Sequence, residues 1–408
     1  MGLIVQKFGG TSVANADRIR NVARIITETY QKGNSVIAVL SAQGDTTDDL
    51  IEKAAEINPK ASKREMDMLL STGEQISCAL CAMAIEALGY PVISLTGWQA
   101  GMKTNSGYGN ARIKRLEAER IGAELDKKSI VIVTGFQGIN KFDDVTTLGR
   151  GGSDTSAVAI AAAMHADLCQ IYTDVDGVYT ADPRLVKNAK KLEEITFDEM
   201  LELATLGAQV LHNRSVEMAK RYNVNLEVIS SFSGQPGTKV KEVVKTMEKS
   251  HISGVAKDKN IARLALVGLA DEPGIAFRIF SLLAKHSINV DIILQSIGRG
   301  NTKDISFTVQ KTDMEDAKKL LEENRSSIGF QEIDVNANIA KVSIVGAGMI
   351  NNPGVAANMF EALYDGGINI HMISTSEIKV SVLVDIEDTD RAVQVIHDKF
   401  YGEFNSDR

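Results

Sequence analysis

Three glycine-punctuated stretches hold the residues best able to do chemistry. The first is Lys7-Phe8-Gly9-Gly10-Thr11-Ser12, directly after the β-branched run 3–5. Glycine lets backbone N–H groups approach an anion closely, and a lysine adds a compact positive charge. This pattern suits a phosphate cradle or an ordinary strand-to-helix turn. It is not a P-loop, because no G-x-x-x-x-G-K-[ST] is present. The second stretch is Gly149-Arg150-Gly151-Gly152-Ser153-Asp154, ahead of an alanine-rich helix expected from about Thr155. Arginine can grip a carboxylate with two hydrogen bonds and helix N-terminal amides attract anions; a plain Ser/Asp helix cap is the alternative. A carboxylate at Asp154 beside a phosphate-binding lysine would organise that lysine. The third runs from Tyr172 to Arg184 and crowds Asp174, Asp176, Asp182, glycine and proline into one loop. Open α/β sheets bind ligands at the carboxyl ends of their strands, which is where this loop falls; a solvated connection is the bland reading.

The elements that must position these residues follow from hydrophobic periodicity. Short β-branched runs at 3–5, 35–40, 91–95, 129–134, 168–172 and 226–229 alternate with helical patterns such as Ile19, Val22, Ile25 and Ile26. Strands separated by helices imply parallel pairing with helices on the sheet faces. A turn-rich segment, 231–238, precedes a charged one, 239–249, and places a domain boundary near residue 245. Beyond it lies an internal repeat. Residues 264–296 recur as 342–376, with Gly268/Gly346, Pro273/Pro353, Gly274/Gly354, Asn289/Asn369 and Ser296/Ser376 identical. Each copy reads strand, Pro-Gly turn, helix, strand, strand, helix, the order of a ferredoxin-like βαββαβ module.

The chain has 408 residues, enough for two to three domains, and is 44% hydrophobic and 24% charged. Forty-five Lys and Arg against 53 Asp and Glu leave a formal charge of −8, which argues against nucleic acid as a partner. Three cysteines cannot form a disulfide framework and suit a reducing, cytoplasmic protein. The apolar run 157–163 is too short to span a bilayer, so no membrane segment is expected. Cys78-x-x-Cys81 lies in a helical stretch without a second ligand pair, so it reads as structural rather than zinc-binding. The histidines do not cluster, and His212 reads as structural. Gly346-x-Gly348 starts a dinucleotide fingerprint, but Asn351 stands where its third glycine belongs.

Taken together, KFGGTSV (7–13), SAQGDTTDDL (41–50), REMDMLLSTGE (64–74), GFQG (135–138), TTLGRGGSD (146–154) and YTDVDGVYTADPR (172–184) resemble aspartate kinase, and the paired repeats ending in ISTSEIKVSV (373–382) resemble its tandem ACT modules. The resemblance spans essentially the whole chain and matches the bacterial monofunctional form. It implies an α/β amino-acid-kinase fold, a mostly parallel open sheet with helices on both faces, over 1–245. The first ACT module would cover 262–337, and the second 246–261 with 338–408. The implied reaction is phosphorylation of the β-carboxylate of L-aspartate by ATP, with Mg²⁺ carried by ATP and no dedicated metal site. Lys7 and Asp154 would be catalytic. Thr47, Glu74, Arg150, Gly151, Gly152 and Ser153 would bind aspartate, Glu74 its amino group and Arg150 its α-carboxylate. Lys7, Phe8, Gly9, Gly10, Ser41, Thr173, Asp174, Tyr179, Asp182 and Arg184 would bind ATP. Departures are Gln43 for the family's methionine, Asn213 for its proline and Gln209 for a frequent lysine.

The resemblance also implies feedback inhibition by lysine, threonine or both. Candidate effector contacts are Asn289, Val290, Asp291 and Gln295 in the first copy. Val355, Ala356, Asn369, Ile370, Ser376 and Glu377 are those of the second. Repeated asparagines can also be mere turn residues. Residues 251–259 are expected to supply a strand to the second module. A homo-oligomer, or an α₂β₂ assembly with a shorter chain started at Met247, is implied. Rival readings are a kinase of the same fold acting on glutamate, N-acetylglutamate or UMP, and a non-catalytic amino-acid sensor.

Overall fold

The computed structural model describes residues 2–206, 210–244, 252–296 and 302–402, except the side chains of Ile350 and Asn351. Gln209, Met247 and His251 lie outside the described residues. The chain divides into two compact units, one of residues 1–179 and 191–247, the other of 180–190 and 248–408.

In the first unit the β-branched runs become one eight-stranded sheet. Its order is Glu194–Thr196, Thr238–Lys241, Leu226–Ser230, Leu168–Thr173, Leu3–Phe8, Ser35–Leu40, Ile130–Thr134 and Val92–Leu95. All neighbours are parallel except Leu226–Ser230 with Thr238–Lys241. Residues 36–40 and 130–133 are completely buried, as strands covered on both faces must be. Val36, Ala38 and Leu40 meet Ile19, Val22 and Ile26 of helix Ala16–Gln31, together with Cys78, Cys81 and Ile85 of helix Thr72–Ala87. The alternate residues face the other way, where the almost wholly buried helix Gly152–Ala163 packs. A small four-stranded sheet, in the order Ile113–Leu116, Met102–Thr104, Gln137–Ile139 and Val145–Thr147, feeds directly into the 148–154 segment.

Two readings from periodicity change. The charged segment after 238 is not simply a linker, because Thr238–Lys241 enters the main sheet with Thr238 and Val240 buried. Gly237 permits the hairpin, since a Cβ there would lie 2.0 Å from the carbonyl oxygen of Val228. The run 63–87 is also long and apolar enough by composition to cross a bilayer. It forms two helices, Lys63–Leu70 and Thr72–Ala87, that bury Asp67, Glu74, Cys78 and Cys81 inside this unit, as core helices of a globular domain do.

The second unit contains two antiparallel four-stranded sheets. One runs Val290–Gln295, Thr302–Gln310, Ile261–Ala270, Glu332–Asn336; the other runs Gly254–Asp258, Ile339–Val345, Lys379–Asp385, Met372–Thr375. Each carries two long helices, Ile275–Lys285 and Met314–Glu323 on the first, which also has the short helix Arg325–Ile328, and Val355–Asp365 and Thr389–Tyr401 on the second. Residues 180–190 depart from the continuous 1–245 unit expected from the sequence. Ala181 and Val186 are buried in the second module's core with Ile252, Val255 and Ile396. The Thr180 carbonyl accepts from the Val255 N–H at 2.8 Å, and its hydroxyl lies 2.9 Å from Nε2 of the buried His397.

Candidate active site

Parallel strands bring Leu3–Phe8, Ser35–Leu40 and Leu168–Thr173 to a common carboxyl edge. There the Ser41 N–H donates to the Phe8 carbonyl at 3.1 Å and the Gly9 N–H to the Tyr172 carbonyl at 3.4 Å. Gly10 sits against the 42–44 turn so closely that a Cβ would lie 2.9 Å from the Ala42 carbonyl oxygen. Lys7 Nζ folds back over Gly9 and stands 2.7 Å from Asp154 Oδ1, with both side chains only 12% exposed. Asp154 belongs to the first turn of helix Gly152–Ala163, where a negative side chain is favoured by the helix dipole. Lysine and aspartate, 147 positions apart, are thus held by a strand end and a helix start.

Glu74 lies across the same space. It is in the first turn of helix Thr72–Ala87 and 3% exposed, and it accepts from the Ala42 N–H at 3.3 Å through Oε1. Its Oε2 is buried and, among the described residues, without a partner. Burial pushes the carboxyl up to about 8, only partly offset by its backbone hydrogen bonds. A cavity of about 280 Å³ is lined by Lys7, Gly9, Gly10, Ser41, Ala42, Gly44, Thr47, Glu74, Phe136 and residues 149–154. It offers a lysine, an arginine, an unpaired buried carboxylate and a helix N-terminus to one ligand.

The loop entering that helix is tightly specified. Gly151 takes φ +68°, and a Cβ on it would fall 2.3 Å from Cγ of His212. Phe136 also has a left-handed φ of 68°, uncommon for an aromatic residue and costing about 1–3 kcal/mol. Its carbonyl accepts from the Leu148 N–H at 2.8 Å and its N–H donates to Ser156 Oγ at 3.1 Å. Phe136, Ala42, Gly44 and Gly149 join the site without having been singled out as contacts; the GFQG motif was the available signal for Phe136. His212 caps helix Asn213–Tyr222, accepting from the Arg214 N–H at 3.4 Å, and burial holds its imidazole below the usual histidine range.

Residues 2–230 match the amino acid kinase family, and residues 264–324 and 342–400 match the ACT domain. Over 400 residues the chain is 51% identical to the aspartokinase of Bacillus sp. strain MGA3, covering 98% of this chain and 97% of that one. The chain belongs to the aspartokinase family. It is an aspartate kinase, with ACT domains following the kinase domain. Among solved structures it resembles E. coli aspartokinase III in complex with aspartate and ADP, at 28% identity and a TM-score of 0.83, over 98% of this chain and 100% of that one. It also resembles the same E. coli enzyme in complex with lysine and aspartate, at 28% identity and a TM-score of 0.76, over 98% and 99%.

The remaining expected contacts fall into three groups. In this aspartate kinase Thr173 and Asp174 share the sheet edge with Lys7, and Thr173 Oγ1 donates to Asp174 Oδ1 at 3.0 Å. Tyr179 follows in the same loop and donates to Asp176 Oδ1 at 2.8 Å. Phe8 is fully buried and stacked on Tyr172 with centroids 4.6 Å apart, so it shapes the site from beneath. Asp182 and Arg184, expected at the nucleotide, are not among the residues that line the cavity. They pair with each other at 2.9 Å within the 180–190 segment, Arg184 being 89% exposed.

In the second unit Asn289, Asp291, Gln295, Asn369, Ser376 and Glu377 are exposed, while Val290, Ala356 and Ile370 are partly covered. Val355 is committed to the second module's core. Asp291 is ion-paired with Lys341, which is 4% exposed. Of the sequence departures, Gln43 donates to the Val13 carbonyl at 2.9 Å, bracing the turn after Gly10. Asn213 is the first helical residue after its cap, a position where proline and asparagine are both accommodated. The described residues contain no group of three or more His, Cys, Asp or Glu side chains that could hold a metal ion.

Proposed function

We propose that the enzyme transfers the γ-phosphoryl group of ATP to the β-carboxylate of L-aspartate, giving 4-phospho-L-aspartate and ADP. The observation that carries this reading is Glu74, a buried carboxylate with an unpartnered oxygen in the cavity that also holds Lys7, Arg150 and Asp154. An α-amino acid needs an anion for its ammonium and a cation for its α-carboxylate; Glu74 and Arg150 supply them, with Thr47 and residues 151–153 between. Phosphoryl transfer then asks for positioning and for neutralisation of spread negative charge. Lys7 serves that end, bridging the ATP phosphates and the transferred group while Asp154 fixes its ammonium. Gly9, Gly10 and Ser41 line the phosphate path, and Thr173, Asp174 and Tyr179 the nucleotide side. The acceptor carboxylate, titrating near ~3.9, is already ionised at neutral pH and needs no general base. Mg²⁺ arrives on the ATP phosphates, which it holds and neutralises.

The paired ACT modules serve feedback inhibition by lysine, threonine or both, a reading supported by the lysine complex of E. coli aspartokinase III. The coupling between effector and substrate would be about 1–3 kcal/mol and reciprocal. The enzyme would open the route to lysine, threonine, methionine and diaminopimelate in the cytoplasm. It would do so as a homo-oligomer, or with a shorter regulatory chain initiated at Met247.

Trapping the acyl phosphate as hydroxamate tests the reaction. The full chain is incubated with Mg-ATP, hydroxylamine and aspartate, glutamate or N-acetylglutamate in turn. Aspartate alone is expected to give product. Signal with glutamate only overturns the substrate, and no signal with any acid points to a sensor. Repeating the assay with lysine and threonine, singly and together, identifies the effector.

A further inference from the structure

Arg150 is exposed and, among the described residues, its guanidinium has no hydrogen-bond or ion-pair partner. Its placement therefore rests on the backbone of residues 147–151. A buried carboxylate and a half-buried guanidinium grip that backbone. Asp67, 0% exposed, accepts from the Thr147 N–H at 2.9 Å and the Thr147 hydroxyl at 2.6 Å, and from the Gly109 N–H at 2.9 Å. Arg214 donates through Nη1 to the Leu148 carbonyl and through Nη2 to the Ala111 carbonyl, both at 2.7 Å. Both residues thus span the same two segments, 109–111 and 147–148, which also pair directly through the Ala111 N–H and the Thr147 carbonyl at 2.8 Å.

Neither charge is explained by pairing. Among the described residues Asp67 touches no cation and Arg214 no carboxylate. Burial, helped by the neighbouring Arg112, pulls the Arg214 guanidinium down to about 10. A half-buried guanidinium spent on two neutral carbonyls is a poor stabiliser by itself, because its desolvation is not repaid by a counter-charge. Its fork does, however, fix two carbonyls in a plane, which a lysine cannot do.

We propose that Arg214 and Asp67 are positioning residues for aspartate binding: they clamp 147–148 against 109–111 and so hold the otherwise unsupported Arg150 at the substrate's α-carboxylate. This rests on the reading of Arg150 given above. Displacing a binding group by about an ångström can lower turnover by up to about a hundredfold, so a loosened loop should be readily measured. The nucleotide side of the site has no part in the clamp.

Steady-state kinetics on the full chain test this, varying aspartate at saturating Mg-ATP and then the reverse. Arg214→Ala is expected to raise the KM for aspartate about tenfold while the KM for ATP moves less than about twofold. Arg214→Lys, which keeps the charge but not the fork, should fall between. Arg150→Ala should raise the aspartate KM at least as much. The double variant Arg150→Ala/Arg214→Ala should be no worse than Arg150→Ala, since Arg214 acts through Arg150. Additive losses, or a parallel rise in the ATP KM, overturn the clamp. If Arg150→Ala leaves the aspartate KM unchanged, the reading of Arg150 fails and the inference with it. Should Arg214→Ala not fold, Arg214→Lys and Asp67→Asn carry the same cycle, and additivity with Arg150→Ala again overturns it.

Discussion

Each half of the enzyme contains a shielded lysine–aspartate pair, and the two differ in what surrounds them. Lys7 and Asp154 are equally shielded, 12% exposed each, and face a cavity. Lys341 and Asp291 are unequal: the lysine is 4% exposed and the aspartate 40%. They join strand Ile339–Val345 of one ACT module to strand Val290–Gln295 of the other, beside the small apolar cluster of Ile261, Ile292, Ile339, Met372 and Leu383. Shielded ion pairs contribute little net stability, because desolvation offsets attraction. The first pair is understood as a charge held ready for a ligand. The second aligns two modules that share a sequence pattern.

The comparison breaks first at Lys7. Lys7→Ala should lose on the order of 10³-fold in kcat while the chain stays folded, because a preorganised charge is removed from the transferring group. Hydroxamate assays with circular dichroism check this, and turnover within tenfold of the parent would show that Lys7 is not catalytic. Next in size is Asp291→Ala, which strands the buried Lys341 ammonium and should cost about 3 kcal/mol of stability. Urea unfolding of the full chain measures it.

A third expectation concerns Glu74. Its carboxyl sits at about 8 in the ligand-free site, so it is mostly protonated at neutral pH and must ionise to pair with an ammonium. Aspartate binding should therefore release a proton, and affinity should rise on the order of tenfold from about pH 6.5 to 8.5, then level off. Calorimetry in buffers of different ionisation heat reads the proton. Stability runs the opposite way: the folded carboxyl titrates above its ordinary value of 4.5, so this group's contribution falls as pH rises from there to about 8. In Glu74→Gln both trends should vanish. The smallest effect is Lys341→Met, at about 1 kcal/mol or less, because Asp291 remains hydrated. A loss equal to that of Asp291→Ala would contradict the asymmetry in exposure.

The two ACT modules show how unevenly sequence reports structure. Their repeat was legible because identical glycines, prolines and asparagines mark identical turns. Their difference was legible only through the resemblance, which assigned 251–259 to the second module as a strand, as Gly254–Asp258 proves to be. In the first module the fourth strand, Glu332–Asn336, follows its second helix; in the second module that place is taken by Gly254–Asp258, which precedes both modules in the chain. The segment 180–190 reads locally as part of an acidic loop, yet Ala181 and Val186 complete a core made by residues far away. Thr238–Lys241 looks like a charged linker because Lys239 and Lys241 alternate with its only two buried residues, Thr238 and Val240.

In the active site the local motifs were readable for the same reason. Glycine where backbones nearly touch, and Ser/Asp at a helix start, are demands of short-range geometry, so Gly10, Gly151 and Asp154 announce themselves. The left-handed Phe136, the lone oxygen of Glu74 and the Arg214 clamp do not, since each depends on partners from other elements.

By itself the sequence determined the α/β order, the tandem modules and the glycine-punctuated stretches that carry Lys7, Arg150 and Asp154, because periodicity and turn chemistry act over a few residues; Glu74 entered only through the resemblance. Only tertiary structure decided that Lys7 meets Asp154, that Glu74 loses its water and keeps a free oxygen, and that 180–190 belongs with the second module. Those outcomes are set by burial and by contacts between residues far apart in the chain, which no local pattern encodes.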